Sequence, residues 1–200
     1  MTQVADKQPT KIRILETSKE MMLEKGYTAT SIDDICKCTG VAKGSFFHYF
    51  KNKEELGKSL IQYFSEQMKV KFESMMSPIA KDPLQRIYAF LDCVKQMANS
   101  PEAKGCLVGT LAAEIHQTHP ELKQACSESM CGTLSSLRAD FEAAKAQYVP
   151  KSTVDTSSLA ELCSSVMQGS FVLYKATGNN KMLKSNVEHL TNYIKSIYEK

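Results

Sequence analysis

Residues 30–56 read TSIDDICKCTGVAKGSFFHYFKNKEEL, and this stretch decides the fold. Thr30-Ser31 offers a hydroxyl cap, and Asp33 and Asp34 follow where the amide dipole of a new helix favours negative charge. The helix so begun stops at Thr39-Gly40, where glycine lets the backbone reverse. Val41-Ala42 then leads into another short helix over about residues 42–48. Upstream, Lys11 to Lys25 carries Ile12, Leu15, Met22 and Leu23 at helical rather than strand spacing, and Gly26 closes it. Three helices thus fit in about 40 residues, with a very short connection between the second and third, which is helix-turn-helix geometry. Ile32, Ile35, Val41, Phe46 and Phe50 are spaced to close a small core beneath the turn.

Beyond this unit the helices lengthen. Asn52 caps a fourth that repeats Leu56, Leu60, Phe64, Met68 and Phe72 every four positions and reaches about Met76. Ser77-Pro78 and Asp82-Pro83 break the chain, and a fifth helix carrying Leu84, Ile87, Phe90, Leu91, Val94 and Met97 runs to Asn99-Ser100-Pro101. Gly105 to Gln117 reads as a short buried helix, Pro120 opens a seventh that extends to about Gln147, and two more occupy about 156–177 and 180–199. No segment alternates as a strand does. The expected fold is all-α with about nine helices: a helix-turn-helix domain over 1–50 and a helical effector-binding and dimerisation domain over 51–200.

Composition narrows the function. Nine Gly and six Pro in 200 residues leave few turns, which agrees with long helices. No apolar run is long enough to span a bilayer, and the leader MTQVADKQPTK is polar where a signal peptide is apolar, so the chain is expected to stay in the cytoplasm. Its seven cysteines are odd in number and include no Cys-x-x-Cys pair, which argues against a disulfide frame or a zinc knuckle. A net charge of +3 names no partner, but Lys37, Lys43, Lys51, Lys53 and Lys58 recur over a stretch whose only acids are Glu54 and Glu55. On charge alone this is either a solvated face or an electrostatic footprint for nucleic acid.

The motifs choose between these. Gly40-Val41-Ala42-Lys43-Gly44, the aromatic pair Phe46-Phe47, His48-Tyr49-Phe50 and Lys53-Glu54-Glu55-Leu56 stand in register, and together they resemble the DNA-binding domain of TetR-type transcriptional regulators. That resemblance implies a recognition helix bearing Lys43, Ser45, Phe47, His48 and Tyr49. Physical reasons stand beside it. Gly44 and Ser45 keep the helix narrow enough for a major groove, Lys43 brings charge to phosphates or a guanine edge, and His48 and Tyr49 donate to phosphates. Lys53 does the same beside the start of the fourth helix. The expected DNA-facing set is Thr30, Ser31, Lys43, Gly44, Ser45, Phe47, His48, Tyr49 and Lys53. The competing reading has His48 and Tyr49 padding the small core. Cys36 and Cys38 stand where the family commonly has alanine, so they read as small buried hydrophobes; about 200° apart on a helix, they cannot share a metal.

The stretch from Gly105-Cys106-Leu107 to Ser136 resembles the TetR branch that includes repressors of electrophile-detoxifying enzymes, whose Gly-Cys-Leu cysteine senses reactive compounds; Cys106 is the matching position. A sensor thiol needs exposure and a cation or helix N-terminus; Lys104 precedes Cys106, and Lys175 is the candidate cation from the eighth helix. Cys106 reads either as that sensor or as a structural cysteine beside a ligand pocket. Cys93, Cys126 and Cys163 read as core and Cys131 as surface. Glu114, His116 and His119 hint at a metal, but Pro120 breaks the helix beside them and no fourth ligand is evident; His119 reads better as a helix cap. No cofactor and no catalytic constellation is expected, although Cys106 with His116 is the pair a thiol-dependent enzyme would use. Methionines with Tyr88, Phe90, Phe141, Phe171 and Tyr174 offer deformable walls for an apolar ligand. Apolar stripes, Leu159, Leu162, Val166, Leu173 and Tyr174 over 156–177 and Leu183, Val187, Leu190, Ile194 and Ile197 over 180–199, suggest a homodimer through a four-helix interface. The expected partners are a double-stranded DNA operator, a small-molecule effector or reactive electrophile, and a second copy of the chain, with no membrane.

Overall fold

The structure, a computed structural model, describes residues 9–76, 81–97 and 105–199. Among them lie nine helices and no strand: α1 (Thr10–Lys25), α2 (Ile32–Thr39), α3 (Lys43–Tyr49), α4 (Lys53–Met76), α5 (Pro83–Met97), α6 (Leu107–Ile115), α7 (Pro120–Tyr148), α8 (Thr156–Thr177) and α9 (Asn180–Tyr198). The expected breaks at Ser77-Pro78 and Asn99-Ser100-Pro101 lie outside the described residues.

Local chemistry sets the ends of the helices. Ser31 caps α2 by accepting from Asp34 N, and Gly40, left-handed at φ 67°, ends it while Val41 N–H returns to Cys36 O. Asn52 Oδ1 accepts from Glu55 N, and Glu55 reaches back to Lys51 N, a reciprocal cap that starts α4. Asp155 accepts from Ser157 N and Ser158 N to start α8; Gly178, also left-handed, ends it, and Asn179 starts α9 by accepting from Lys181 N.

The helices form two compact units. One holds residues up to Phe64 together with Leu107–Ser127, so α6 and the start of α7 pack with the N-terminal helices. Its core joins Ile14, Met22, Ile35, Phe46, Phe50, Leu56, Leu60, Leu111 and Leu122, all essentially inaccessible. Gly57 admits Leu122 closely: a Cβ there would stand 2.8 Å from Leu122 Cδ2.

The second unit holds Ser65–Cys106 and Glu128–Lys200. Its core gathers Ile87, Leu91, Phe141, Cys163, Phe171, Leu183, Val187 and Ile194 from α5, α7, α8 and α9. Arg86 Nε donates to Asp140 Oδ1 at 2.8 Å within this unit, a largely buried pair that satisfies an otherwise costly carboxylate. The α9 stripe Leu183, Val187, Leu190 and Ile194 is therefore consumed inside its own chain. These residues, expected on a dimer face, are covered by their own chain, as is Leu159. The apolar residues left in water are different ones: Leu162, Val172 and Leu173 on α8 and Tyr193 on α9.

Candidate nucleic-acid interface and effector region

A seven-residue helix has too few internal hydrogen bonds to be stable in water by itself, so α3 must be held by packing. Phe46 and Phe50 do this. Both are essentially fully buried, with ring centroids 5.7 Å apart, and each such burial contributes about 1.5–3 kcal/mol. Every other α3 side chain faces out: Lys43, Ser45, Phe47, His48 and Tyr49 are exposed, and a Cβ at Gly44 would meet nothing within 4 Å. Phe47 and Tyr49 stay 44% and 36% accessible, so they do not pad the core. Lys43 Nζ lies 2.7 Å from Asp33 Oδ1 across the turn, and Asp33 holds the lysine above its ordinary range. Both partners are well exposed, so the pair is weak and exchangeable.

Three members of the expected DNA-facing set do other work in this structure. Thr30 is fully buried and donates its hydroxyl to Gly26 O at 2.7 Å, closing the turn before α2 rather than facing solvent. The exposed Ser31 spends its hydroxyl on the α2 cap. Lys53 donates to Thr28 O at 3.3 Å and lies 4.3 Å over the Tyr27 ring; partial burial lowers its pKa. Cys38 is exposed and Cys36 half-buried, so the small-hydrophobe reading fails for Cys38.

Around Cys106 the structure is specific. The thiol is partly exposed and precedes the first residue of α6, and Gln168 Nε2 on α8 approaches its sulfur at 3.4 Å. Lys175, the expected cation, is exposed about 10 Å further along α8, seven residues at 1.5 Å each, so the α8 group that meets the thiol is a neutral amide. Burial pushes Cys163 up to about 12 and raises Cys93, which keeps both as unreactive core thiols; Cys126 is also buried and Cys131 exposed.

Glu114, His116 and His119 do not converge. Glu114 accepts from main-chain Tyr27 N and Thr28 N, His119 Nδ1 pairs with the Thr118 hydroxyl at 2.8 Å, and the exposed His116 has its Nδ1 3.2 Å from Ala113 O. Among the described residues no group of three His, Cys, Asp or Glu side chains could hold a metal. His119 stands just before α7, its carbonyl accepting from Lys123 N at 2.9 Å, and its ring meets Tyr27 edge-on at 5.0 Å. The Glu114 contact was not legible because it joins residues 86 and 87 apart in sequence. No described helix is long and apolar enough to cross a membrane.

A short helix anchored by two phenylalanines, presenting lysine, serine, histidine and aromatic side chains beyond a glycine turn, defines the helix-turn-helix class of DNA-binding regulators. Comparison with known proteins gives the family. Residues 14–60 match "Bacterial regulatory proteins, tetR family", and residues 83–190, more than half of the chain, match "Tetracyclin repressor-like, C-terminal domain". The chain belongs to the TetR family and is a DNA-binding transcriptional regulator. It is 33% identical over 103 residues to the transcriptional regulator AcuR of Cereibacter sphaeroides, a match spanning 51% of this chain and 47% of that relative. It is 21% identical to the HTH-type transcriptional repressor NemR of Escherichia coli K12 over 186 residues, covering 92% of this chain and 94% of NemR. Its fold is also that of a TetR transcriptional regulator from Chloroflexus aurantiacus, with TM-score 0.82, 26% identity, and coverage of 92% and 93% of the two chains.

Proposed function

We propose that the protein is a repressor that binds a palindromic operator as a homodimer and releases it when residues in the C-terminal region take up a small ligand or when a thiol there is modified. Residues 1–50 act as the DNA-binding part and 51–200 carry effector binding and dimerisation. The observation that carries the reading is α3, whose outward side chains are exposed while its anchors are buried. Lys43, Gly44, Ser45, Phe47, His48 and Tyr49 are the proposed contacts, and Thr30, Ser31 and Lys53 support them. A bacterial regulator of this kind works in the cytoplasm, where its DNA is.

The dimer is assigned to the outer stripe of α8. Leu162, Val166, Gly169, Leu173 and Ala176 recur at helical spacing and none is buried. A twofold pair would set two α3 helices about 34–36 Å apart, one per major groove. Gel-shift titration of the chain over its own upstream DNA tests the reading, with specific retardation at physiological salt expected; only nonspecific binding at that salt rejects it.

For the signal, the partly exposed Cys106 beside Gln168 supports thiol sensing, and the AcuR and NemR likenesses support regulation without identifying an effector. The signal acts only through its preference for the released state, and a tenfold loss of DNA affinity needs about 1.4 kcal/mol of it. N-ethylmaleimide should release DNA from the wild type and not from Cys106→Ser; equal release removes Cys106 from the mechanism and points to another accessible thiol, whereas no release from either leaves a reversible apolar-ligand sensor.

A further inference from the structure

Glu114, on the exposed face of the last turn of α6, makes contacts that its position does not require. Its carboxylate accepts Tyr27 N–H and Thr28 N–H, each at 2.7 Å. Gly26, just before them, has φ +87°, and a side-chain carbon there would stand 2.6 Å from Glu114 Oε2. Glycine is therefore demanded twice, by the backbone and by the approach of the carboxylate. Lys53 closes the other side, bonded to Thr28 O and seated over Tyr27. Partial burial would raise the Glu114 carboxyl, but hydrogen bonds from Thr28 and Tyr27 and the charge of Lys53 hold it below the ordinary carboxylate range.

The segment held in this way leads directly into the reading helices. Thr30 bonds back to Gly26, Ser31 caps α2, and α2 passes through the Gly40 turn into α3. Whatever fixes residues 26–28 fixes the start of that path. At its other end α6 begins one residue after Cys106. We infer that Glu114 is the positioning residue through which α6 sets the pose of the helix-turn-helix and thereby the affinity for the operator. This rests on the DNA-binding reading above. Charge-assisted hydrogen bonds are about twice as strong as neutral ones, so the carboxylate matters beyond its shape. Glutamine would keep one acceptor, whereas alanine would leave both amides to water. Glu114 is not among the buried core residues, so its removal opens no cavity in the core.

Duplex affinity of the full-length wild type, Glu114→Ala and Glu114→Gln tests this, using a fragment that the wild type selects from a random duplex pool. It is measured at two salt concentrations, with amide hydrogen exchange followed at Tyr27 and Thr28 and melting curves for each protein. Glu114→Ala should bind roughly five- to thirtyfold more weakly, with Glu114→Gln between it and the wild type. The salt slope should match the wild type because no phosphate contact is lost. The two amides should exchange faster in Glu114→Ala. A merely stabilising residue would change melting and leave the affinity of folded molecules alone. Folded variants with wild-type affinity, or amides at 27 and 28 that exchange alike in all three proteins, overturn the inference. If Glu114→Ala does not fold, Glu114→Gln decides. A wild type that selects no sequence fails the DNA-binding reading and this inference with it; a wild type that selects one while the variants match it fails this inference alone.

Discussion

Both α3 and α8 leave apolar side chains in water, and they do so differently. On α3 the exposed rings of Phe47 and Tyr49 alternate with Lys43, Ser45 and His48, so every apolar patch has a donor or a charge beside it. On α8 the outer stripe of Leu162, Val166, Gly169, Leu173 and Ala176 offers no side-chain hydrogen-bonding group at all, and Val172 beside it is 67% accessible. The first surface can satisfy phosphates and base edges; the second can satisfy only another apolar surface. Stability divides the same way. The seven residues of α3 depend on two buried rings, whereas the 22 residues of α8 are capped by Asp155 at one end and left-handed Gly178 at the other. The short α3 depends on Phe46 and Phe50 for its place, whereas α8 is capped at both ends and also anchored by Leu159, Cys163 and Phe171.

The largest effect should come from removing what holds α3. Phe46→Ala should cost about 3–5 kcal/mol in urea unfolding and abolish operator binding. An unchanged midpoint would mean that α3 is not held as described. Charging the α8 stripe is next: Leu162→Glu with Leu173→Glu should convert a dimer to a folded monomer by sedimentation equilibrium. Because two reading helices would no longer be linked, DNA affinity should fall roughly a hundredfold or more. A double variant that remains dimeric would move the interface elsewhere and leave the α8 stripe unexplained.

Legibility followed sequence distance. The α2–α3 turn was readable because its signals are local: the Ser31 cap, Gly40 in the left-handed region and the Phe46–Phe50 spacing act within a few residues of each other. Bounds for α8 were equally plain, since Asp155 and Gly178 bracket it. The α9 stripe was read as a dimer face, yet Leu183, Val187, Leu190 and Ile194 are covered by their own chain, because periodicity tells that a face is apolar and not what covers it. Thr30 and Lys53 carry the residue types of phosphate contacts, yet a buried carbonyl and an aromatic ring claim them first. Lys175 follows the same rule: its charge suited Cys106, but its position along α8 gave that place to Gln168.

The finest division between the two surfaces lies in the Lys43–Asp33 pair, because it is the one place where the charge of α3 is already spoken for. Both side chains are well exposed, so breaking the pair should barely move the melting temperature. Its effect should appear on DNA instead. Lys43→Ala should weaken operator binding roughly three- to tenfold and reduce the salt slope by about 1, one phosphate contact fewer. Asp33→Asn should do the opposite on a smaller scale: it frees Lys43 from its partner and removes a negative charge from a surface meant to approach phosphates, so affinity should rise by roughly two- to threefold at low salt and less at high salt. The same pair of substitutions should leave dimerisation untouched, since the α8 stripe contains no charge. If Asp33→Asn weakens binding, Asp33 positions Lys43 for DNA rather than competing with it, and the pair belongs to the reading surface as a unit.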